Sequence, residues 1–392
     1  MLAVVLLLQT GSLVTPGHGP GVGPPRPASF DAATFDPIVL DGLRRGAYPG
    51  AALVVGRRDT ILFSKGYGRL TWSQVSPSVD PDSTIYDLAS LTKVVATTTA
   101  LMLLVERGDV RLDAPVSTYV PEFDGPERAG ITVRQLLTHT SGLRADLPDS
   151  ELKAVPDGAT LLRRVLSEAP RVPPDTRVVY SDLNAILLGE TVRRVTGEPL
   201  DGFATREVIG PLGLTQTMFR PPRRLRGRIA PTGVWRGHPV AGVVNDPSAA
   251  KLGGVSGNAG LFGTARDAGR FAQVMLREGA LPDGRRLLKS ATVRLFTTKA
   301  ADFGHGTEAR ALGWQAVPTG ETASSAGTLF GPRSYGHTGW TGTSLWIDPD
   351  RDLFVVLLTN RAYAPRARRS FTVLKEVRGG LADAAARASD AR

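Results

Sequence analysis

The sequence predicts an α+β fold: an antiparallel sheet assembled from both ends of the chain, flanked by helices, with a helical lobe inserted between the two halves of the sheet. Three observations carry this. Near the start, Ala51 to Val55 and Thr60 to Ser64 are apolar runs separated by Gly56-Arg57-Arg58-Asp59, the pattern of a β-hairpin. Near the end, Tyr335 to Trp340, Ser344 to Ile347 and Leu353 to Leu358 return to strand patterning. The long stretch between them is helical in period. Hairpins at both ends fit an α+β arrangement better than a doubly wound parallel sheet.

Taken in order, Met1 to Val14 is a short apolar stretch around Leu2-Ala3-Val4-Val5-Leu6-Leu7-Leu8. It is too short to span a bilayer. It has the character of the apolar region of a secretory signal, although no Lys or Arg precedes it and no Ala-x-Ala follows, so a periplasmic or secreted location is expected. Thr15 to Ser29 is a Pro/Gly-rich linker. Residues 1–29 are thereby set apart from one domain over 30–380, and 381–392 reads as a C-terminal tail. Phe35 to Gly46 is expected to be a helix, and Pro49-Gly50 punctuates before the hairpin. A loop over Leu70 to Ser83 leads to Asp87-Leu88-Ala89-Ser90-Leu91-Thr92-Lys93 and the apolar run Val94 to Val105, a helix buried nearly all round. Thr132-Val133-Arg134-Gln135 is a capping box opening a short helix that ends near His139-Thr140-Ser141-Gly142. Ala159 to Ala169 and Asp182 to Val195 are helical, the second closed by Gly197. Pro199 to Ile209 and the capped Thr264 to Glu278 follow, with loops and short strands over Arg220 to Val244. The glycine-dense Gly253 to Gly260 lacks a terminal Gly-Lys-Ser/Thr and is not a phosphate loop. Ala364 to Ala386 is a final basic helix.

Composition narrows the function. With 42% hydrophobic and 21% charged residues over 392 positions, the chain has ample material for a core, and no apolar run reaches membrane-spanning length. There is no cysteine, which excludes disulfides, a thiolate nucleophile and thiolate zinc sites. The net charge is +10, but the arginines are scattered and no compact basic tract interleaves with aromatics, so no nucleic-acid partner is expected. The five histidines stand apart from one another, so no metal centre and no cofactor is expected.

Three clusters carry chemistry. Ser-x-x-Lys occurs at Ser90/Lys93, Ser150/Lys153 and Ser248/Lys251. Only Ser90 opens a buried helix, where hydroxyl and amine share one face. The other two read as solvated loop serines. A serine needs a base, and Lys93 can serve if burial lowers its pKa from about 10.4. Tyr180-Ser181-Asp182 opens the next long helix. A tyrosine beside Lys93 would share a proton with it, and the alternative is a packed tyrosine with Asp182 as N-cap. His337-Thr338-Gly339-Trp340 lies on a strand where a substrate can align. The backbone N–H groups of Ser90 and Trp340 would then form an oxyanion hole.

Ser90-Leu91-Thr92-Lys93, Ile131 to Leu143, Tyr180-Ser181-Asp182-Leu183-Asn184 and Gly336-His337-Thr338-Gly339, in this order and spacing, resemble the serine β-lactamase and penicillin-binding superfamily. The likeness is to the group of class C β-lactamases, D-alanyl-D-alanine carboxypeptidases and related esterases, over roughly residues 35–378. It implies a β-lactamase/transpeptidase-like fold and a serine hydrolase acting on a small-molecule or peptidoglycan-like substrate. Ser90 would become an acyl ester, Lys93 would help take its proton, and Tyr180 would be base or relay. Asp182, His337, Thr338 and Gly339 would bind substrate, and Trp340 N–H would complete the oxyanion hole. His139 reads as structural, and Asn258 as lining the mouth. Asp182 stands where the family has Asn, and His337 where it often has Lys. Both departures weigh against an anionic substrate and favour ester hydrolysis over β-lactam or D-Ala-D-Ala turnover, with any activity on anions improving once His337 is protonated below about pH 6.5. A carboxypeptidase, a class C-type β-lactamase and a non-catalytic cell-wall-binding protein are the alternatives. The sequence names no oligomeric state.

Overall fold

A computed structural model of the chain describes residues 30–304, 308–319, 324–363 and 371–391. The signal-like segment, the linker and the first turns of the expected last helix lie outside the described residues.

The central sheet has seven strands among the described residues: β1 (Gly50–Gly56), β2 (Ile61–Gly68), β3 (Ala309–Arg310), β4 (Gln315–Ala316), β5 (Tyr335–Thr338), β6 (Ser344–Asp348) and β7 (Leu353–Thr359). Their order is β2-β1-β7-β6-β5-β4-β3, antiparallel throughout. The first hairpin therefore pairs with the last strand, in the register Ala51 to Thr359 and Val55 to Val355.

Both faces of this sheet are covered, which is why its strands read as apolar runs rather than strict alternation. Alternate side chains still part to opposite faces. Ala52 and Val54 of β1, with Phe354, Val356 and Leu358 of β7, join the core beneath the helix Ala265–Leu276. Ala51, Leu53 and Val55, with Leu353, Val355 and Leu357, face the terminal helices Ala32–Arg44 and Phe371–Asp390. That last helix runs past the boundary drawn at residue 380. Leu381, Ala382 and Ala384 to Ala386 are buried in it, so 381–390 is packed chain rather than tail.

The inserted lobe shares the first core with the sheet. Leu183, Ile186 and Leu187 of the helix Asp182–Thr196 belong to the same cluster as Phe271 and Val356. Gly197 closes that helix in the left-handed conformation (φ 73°). Thr132 caps the helix Val133–Leu137 with the expected reciprocal bonds to Gln135. The Ser90 helix differs from expectation. Lys93–Thr98 is a π-helical segment, and regular α-helix resumes over Thr99–Arg107. A widened turn of this kind is common at functional sites. The short helix Ser290–Thr297 and the two-residue strands β3 and β4 are not among the expected elements.

Candidate active site

The turn into the Ser90 helix is held from three sides. Tyr86–Asp87 pairs with Leu261–Gly263 in a small second sheet, and Leu88 N–H donates to the Leu261 carbonyl (2.9 Å). The buried Asp87 carboxylate accepts from the N–H groups of Ala89 (2.9 Å) and Asn245 (2.7 Å), and burial pushes its pKa up to about 6. Ala89 takes φ +48°, a strained value for a residue with a Cβ, and so turns Ser90 out at the helix start. The turn between β5 and β6 is stapled to the same segment. Thr341 Oγ1 donates to the Asp87 carbonyl (2.8 Å) and Thr343 Oγ1 to the Leu88 carbonyl (2.9 Å). Gly339 is required there, because a Cβ would lie 2.8 Å from the Leu88 carbonyl oxygen. Two stretches some 250 residues apart in sequence therefore meet.

Ser90 Oγ accepts from Lys93 Nζ (3.0 Å) and from Tyr180 Oη (2.9 Å). Lys93 Nζ also donates to the Asn258 carbonyl (3.0 Å) and forms an ion pair with Asp182 Oδ1 (2.6 Å). Two hydrogen-bond acceptors and one carboxylate in ion-pair contact thus surround the ammonium. Burial opposes the charge on Lys93, but Asp182 and Tyr180 outweigh it and raise the pKa above the ordinary value. The expectation of a lysine lowered toward neutrality is therefore corrected: the neighbouring carboxylate keeps this lysine cationic. Tyr180 is raised by burial, an effect opposed by Lys93. Its ring lies 5.1 Å from Lys93 Nζ and 4.9 Å from the Arg310 guanidinium.

Tyr180 is placed by the segment Thr138 to Leu143. His139 is buried at φ +58°; its carbonyl accepts from Val179 N–H (2.9 Å), its Nδ1 from Ser181 N–H (3.1 Å), and its ring packs 4.8 Å from that of Tyr180. Ser141 donates to Asn184 (2.7 Å). This is the structural role expected of His139. The N-cap of the helix is Ser181, which accepts from Asn184 N–H, so Asp182 is its first residue and not its cap. Asp182 is turned to Lys93 rather than left free to face a substrate amide.

His337 does not behave as a switchable cation. It is buried, its Nδ1 lies 2.9 Å from the Thr338 carbonyl, and burial with the charges of Arg310 and Lys93 holds its pKa well below 6.5. The cation beside it is Arg310 on β3, which sequence reasoning missed. The only signal was one charge inside the otherwise apolar Ala309 to Trp314. Arg310 is 2% exposed, and its Nε and Nη1 have no hydrogen-bond partner among the described residues. Arg378, lowered to about 9 by burial and by Arg361, donates to the carbonyls of Gly339 (3.1 Å) and Thr343 (2.7 Å) and braces the β5–β6 turn.

These groups line a cleft of about 650 Å³ that brings together Ser90, Tyr180, Asp182, Arg310, His337 and Trp340. Thr338 and Gly339 form its β5 edge. The Trp340 side chain is 60% exposed at the mouth, 4.8 Å from the ring of Phe371. Among the described residues, the backbone N–H groups of Ser90 and Trp340 have no hydrogen-bond partner. Asn258 does not line the cleft. It is buried, and it contributes its carbonyl to Lys93. The other two Ser-x-x-Lys pairs stand apart from the cleft chemistry, though neither serine is in a loop. Ser150 is exposed on the helix Asp149–Ala154. Ser248 is buried on the helix Pro247–Lys251, and Lys251 donates to the Val155 carbonyl.

The model of the β-lactamase family matches residues 35–378. A protein of Escherichia coli strain K12, provisionally named D-alanyl-D-alanine carboxypeptidase, is 33% identical over 359 residues, covering 82% of this chain and 80% of that protein. A relative of the same name from Salmonella typhi is 32% identical over the same length. Among solved structures, a penicillin-binding protein homologue from Caulobacter crescentus superposes with a TM-score of 0.73 at 21% identity, covering 92% of this chain and 99% of its own. A class C β-lactamase from Rhodobacter sphaeroides does so at 0.69 and 22%, covering 89% and 98%. Both share the fold.

Proposed function

The chain belongs to the β-lactamase family, and on that premise we propose that it is a carboxypeptidase-type serine hydrolase acting on acyl-D-alanine-like peptides with a free terminal carboxylate. The observation that carries this is Arg310, a buried guanidinium with two unmade donor positions on the wall of the cleft that holds Ser90. Unmade charged hydrogen bonds are costly, and a carboxylate satisfies a guanidinium fork well. Arg310 thus supplies the charge that neutral His337 does not. Asp182 repels an anion less than its charge suggests, because Lys93 neutralises it.

In the proposed reaction, Ser90 Oγ attacks the scissile carbonyl and its proton passes to Tyr180. Lys93, kept as the ammonium by Asp182, is not the acceptor. Tyr180 takes this proton only after giving up its own, an ionisation that burial opposes and the cation of Lys93 favours. The N–H groups of Ser90 and Trp340 hold the oxyanion. The C–N bond breaks, Tyr180 returns the proton to the leaving amine, and an ester on Ser90 remains. Water then repeats the sequence and releases the acid. An ester of the same acyl group enters through the same intermediate, and the exposed Trp340–Phe371 pair at the mouth favours this second, esterase reading for apolar acyl groups. A peptidoglycan-like substrate lies outside the cytoplasmic membrane, which accords with the expected export segment. Among the described residues, no helix is long and apolar enough to cross a membrane.

The test compares a diacetyl-lysyl-D-Ala-D-Ala peptide with its C-terminal amide. The free acid should be turned over at least about tenfold faster in kcat/KM, and Arg310→Gln should remove the difference. Equal rates on acid and amide in the unmodified protein would contradict the carboxylate reading.

A further inference from the structure

Arg310 is not wholly without a partner. Its Nη2 donates to Glu308, two residues earlier, whose carboxylate lines the same cleft. The two partners differ in exposure. The Arg310 side chain is 3% exposed and fixed on β3, whereas that of Glu308 is 51% exposed. A long, solvent-facing carboxylate can leave a buried guanidinium, and the guanidinium cannot follow it. Nε and Nη1 of Arg310 and Nε2 of His337, all buried beside this contact, have no partner among the described residues. The two Arg310 nitrogens are donors beyond what Glu308 satisfies, whereas Nε2 of the neutral His337, whose Nδ1 proton faces the Thr338 carbonyl, is an acceptor.

We propose that Glu308 is a built-in competitor that occupies Arg310 in place of the substrate carboxylate and so sets how strongly the protein prefers anionic over neutral substrates. This rests on the carboxypeptidase-type reading and adds a residue to its specificity. An incoming carboxylate exchanges with Glu308, so Arg310 is paired before and after binding. A neutral ester or amide leaves the Arg310–Glu308 pair in place and bears no exchange cost. The apparent affinity for an anionic ligand is reduced by the fraction of molecules in which Glu308 holds the arginine.

The experiment measures selectivity, the ratio of kcat/KM for diacetyl-lysyl-D-Ala-D-Ala to that for p-nitrophenyl butyrate, in the full chain and in Glu308→Gln. The ratio should rise about tenfold through a lower KM for the anionic peptide, as expected if Glu308 holds Arg310 in about nine molecules of ten. In an Arg310→Gln background the same change should leave the ratio where it was. As a second measurement, N-acetyl-D-alanine should inhibit butyrate hydrolysis about tenfold more tightly in Glu308→Gln. Glu308 is half exposed, so the variant is expected to fold. An unchanged or lower ratio in Glu308→Gln, with Ser90 still acylated by the ester, would overturn the competitor role while leaving the hydrolase reading intact. Absence of Ser90 acylation by either substrate would overturn the hydrolase reading itself.

Discussion

Replacing Asp182 by Asn or Ala tests the feature that most changes the chemistry of this site, the charge on Lys93. The pair is close, at 2.6 Å, and sheltered, with the two side chains 4% and 19% exposed. At an effective dielectric of about 20, two unit charges at this distance attract by roughly 6 kcal/mol before desolvation is counted. Removing one partner of a buried pair costs about 3–5 kcal/mol, because the remaining charge stays buried. The partial exposure of Asp182 puts Asp182→Ala at the lower end, about 3 kcal/mol. Asp182→Asn keeps an acceptor oxygen and should cost about 2 kcal/mol. The pH dependence has a definite sign. A lysine whose folded pKa lies above its unfolded value contributes stability that is fully present below about pH 10.4 and is lost as pH rises through the folded value. The stability difference between native chain and variant should therefore hold between about pH 6 and pH 9 and shrink above about pH 10.5. Urea unfolding at several pH values reads this directly, and the difference cancels other alkaline effects common to both proteins. A cost below about 0.5 kcal/mol at neutral pH, or one that persists unchanged above about pH 11, would refute the ion pair as the source of the charge.

Two further predictions concern His337 and the end of the chain. Because His337 is held neutral, His337→Asn should leave the pH profile of selectivity for anionic over neutral substrates unchanged between about pH 7.5 and pH 5.5, where Asp146 in the same cleft, pushed up to about 6 by burial, titrates, and a rise below about pH 6.5 that His337→Asn abolishes would contradict the buried, neutral state of His337. A depressed folded pKa also gives stability present above the unfolded value and lost as pH falls, so His337→Asn should reduce the acid-induced loss of stability, read by urea unfolding. Truncation after Gly380 should lower stability sharply, since burying Leu381 alone is worth about 2–5 kcal/mol, and an unchanged Tm would show that 381–390 is dispensable.

The sequence was most informative where structure and chemistry are local. The capping box at Thr132, the left-handed Gly197, the hairpin around Arg57 and the three C-terminal strands are recorded in adjacent residues, and all stand near where their patterns put them. Ser90, Lys93 and Tyr180 were legible as motifs, and the fold brings them within hydrogen-bond reach of one another's network. Their ionisation was not legible. The charge of Lys93 depends on Asp182, 89 positions later, and on how far the helix turns that carboxylate toward it. Arg310 sits on a two-residue strand without periodicity, and its importance arises only when β3 folds against Tyr180. The π-helical widening after Lys93 leaves no mark in an apolar run that suits either helix. Leu381 to Ala386 looked like a tail because the buried face is built mainly of alanine.

The proposed reaction requires Ser90 to be the acylated nucleophile. Intact-protein mass spectrometry after brief exposure to benzylpenicillin, p-nitrophenyl butyrate and diacetyl-lysyl-D-Ala-D-Ala, with peptide mapping of any adduct, tests it most directly. A single acyl adduct is expected on the peptide containing Ser90, lost in Ser90→Ala and retained in Ser150→Ala and Ser248→Ala. An adduct that survives Ser90→Ala, or that maps to another serine, would contradict it.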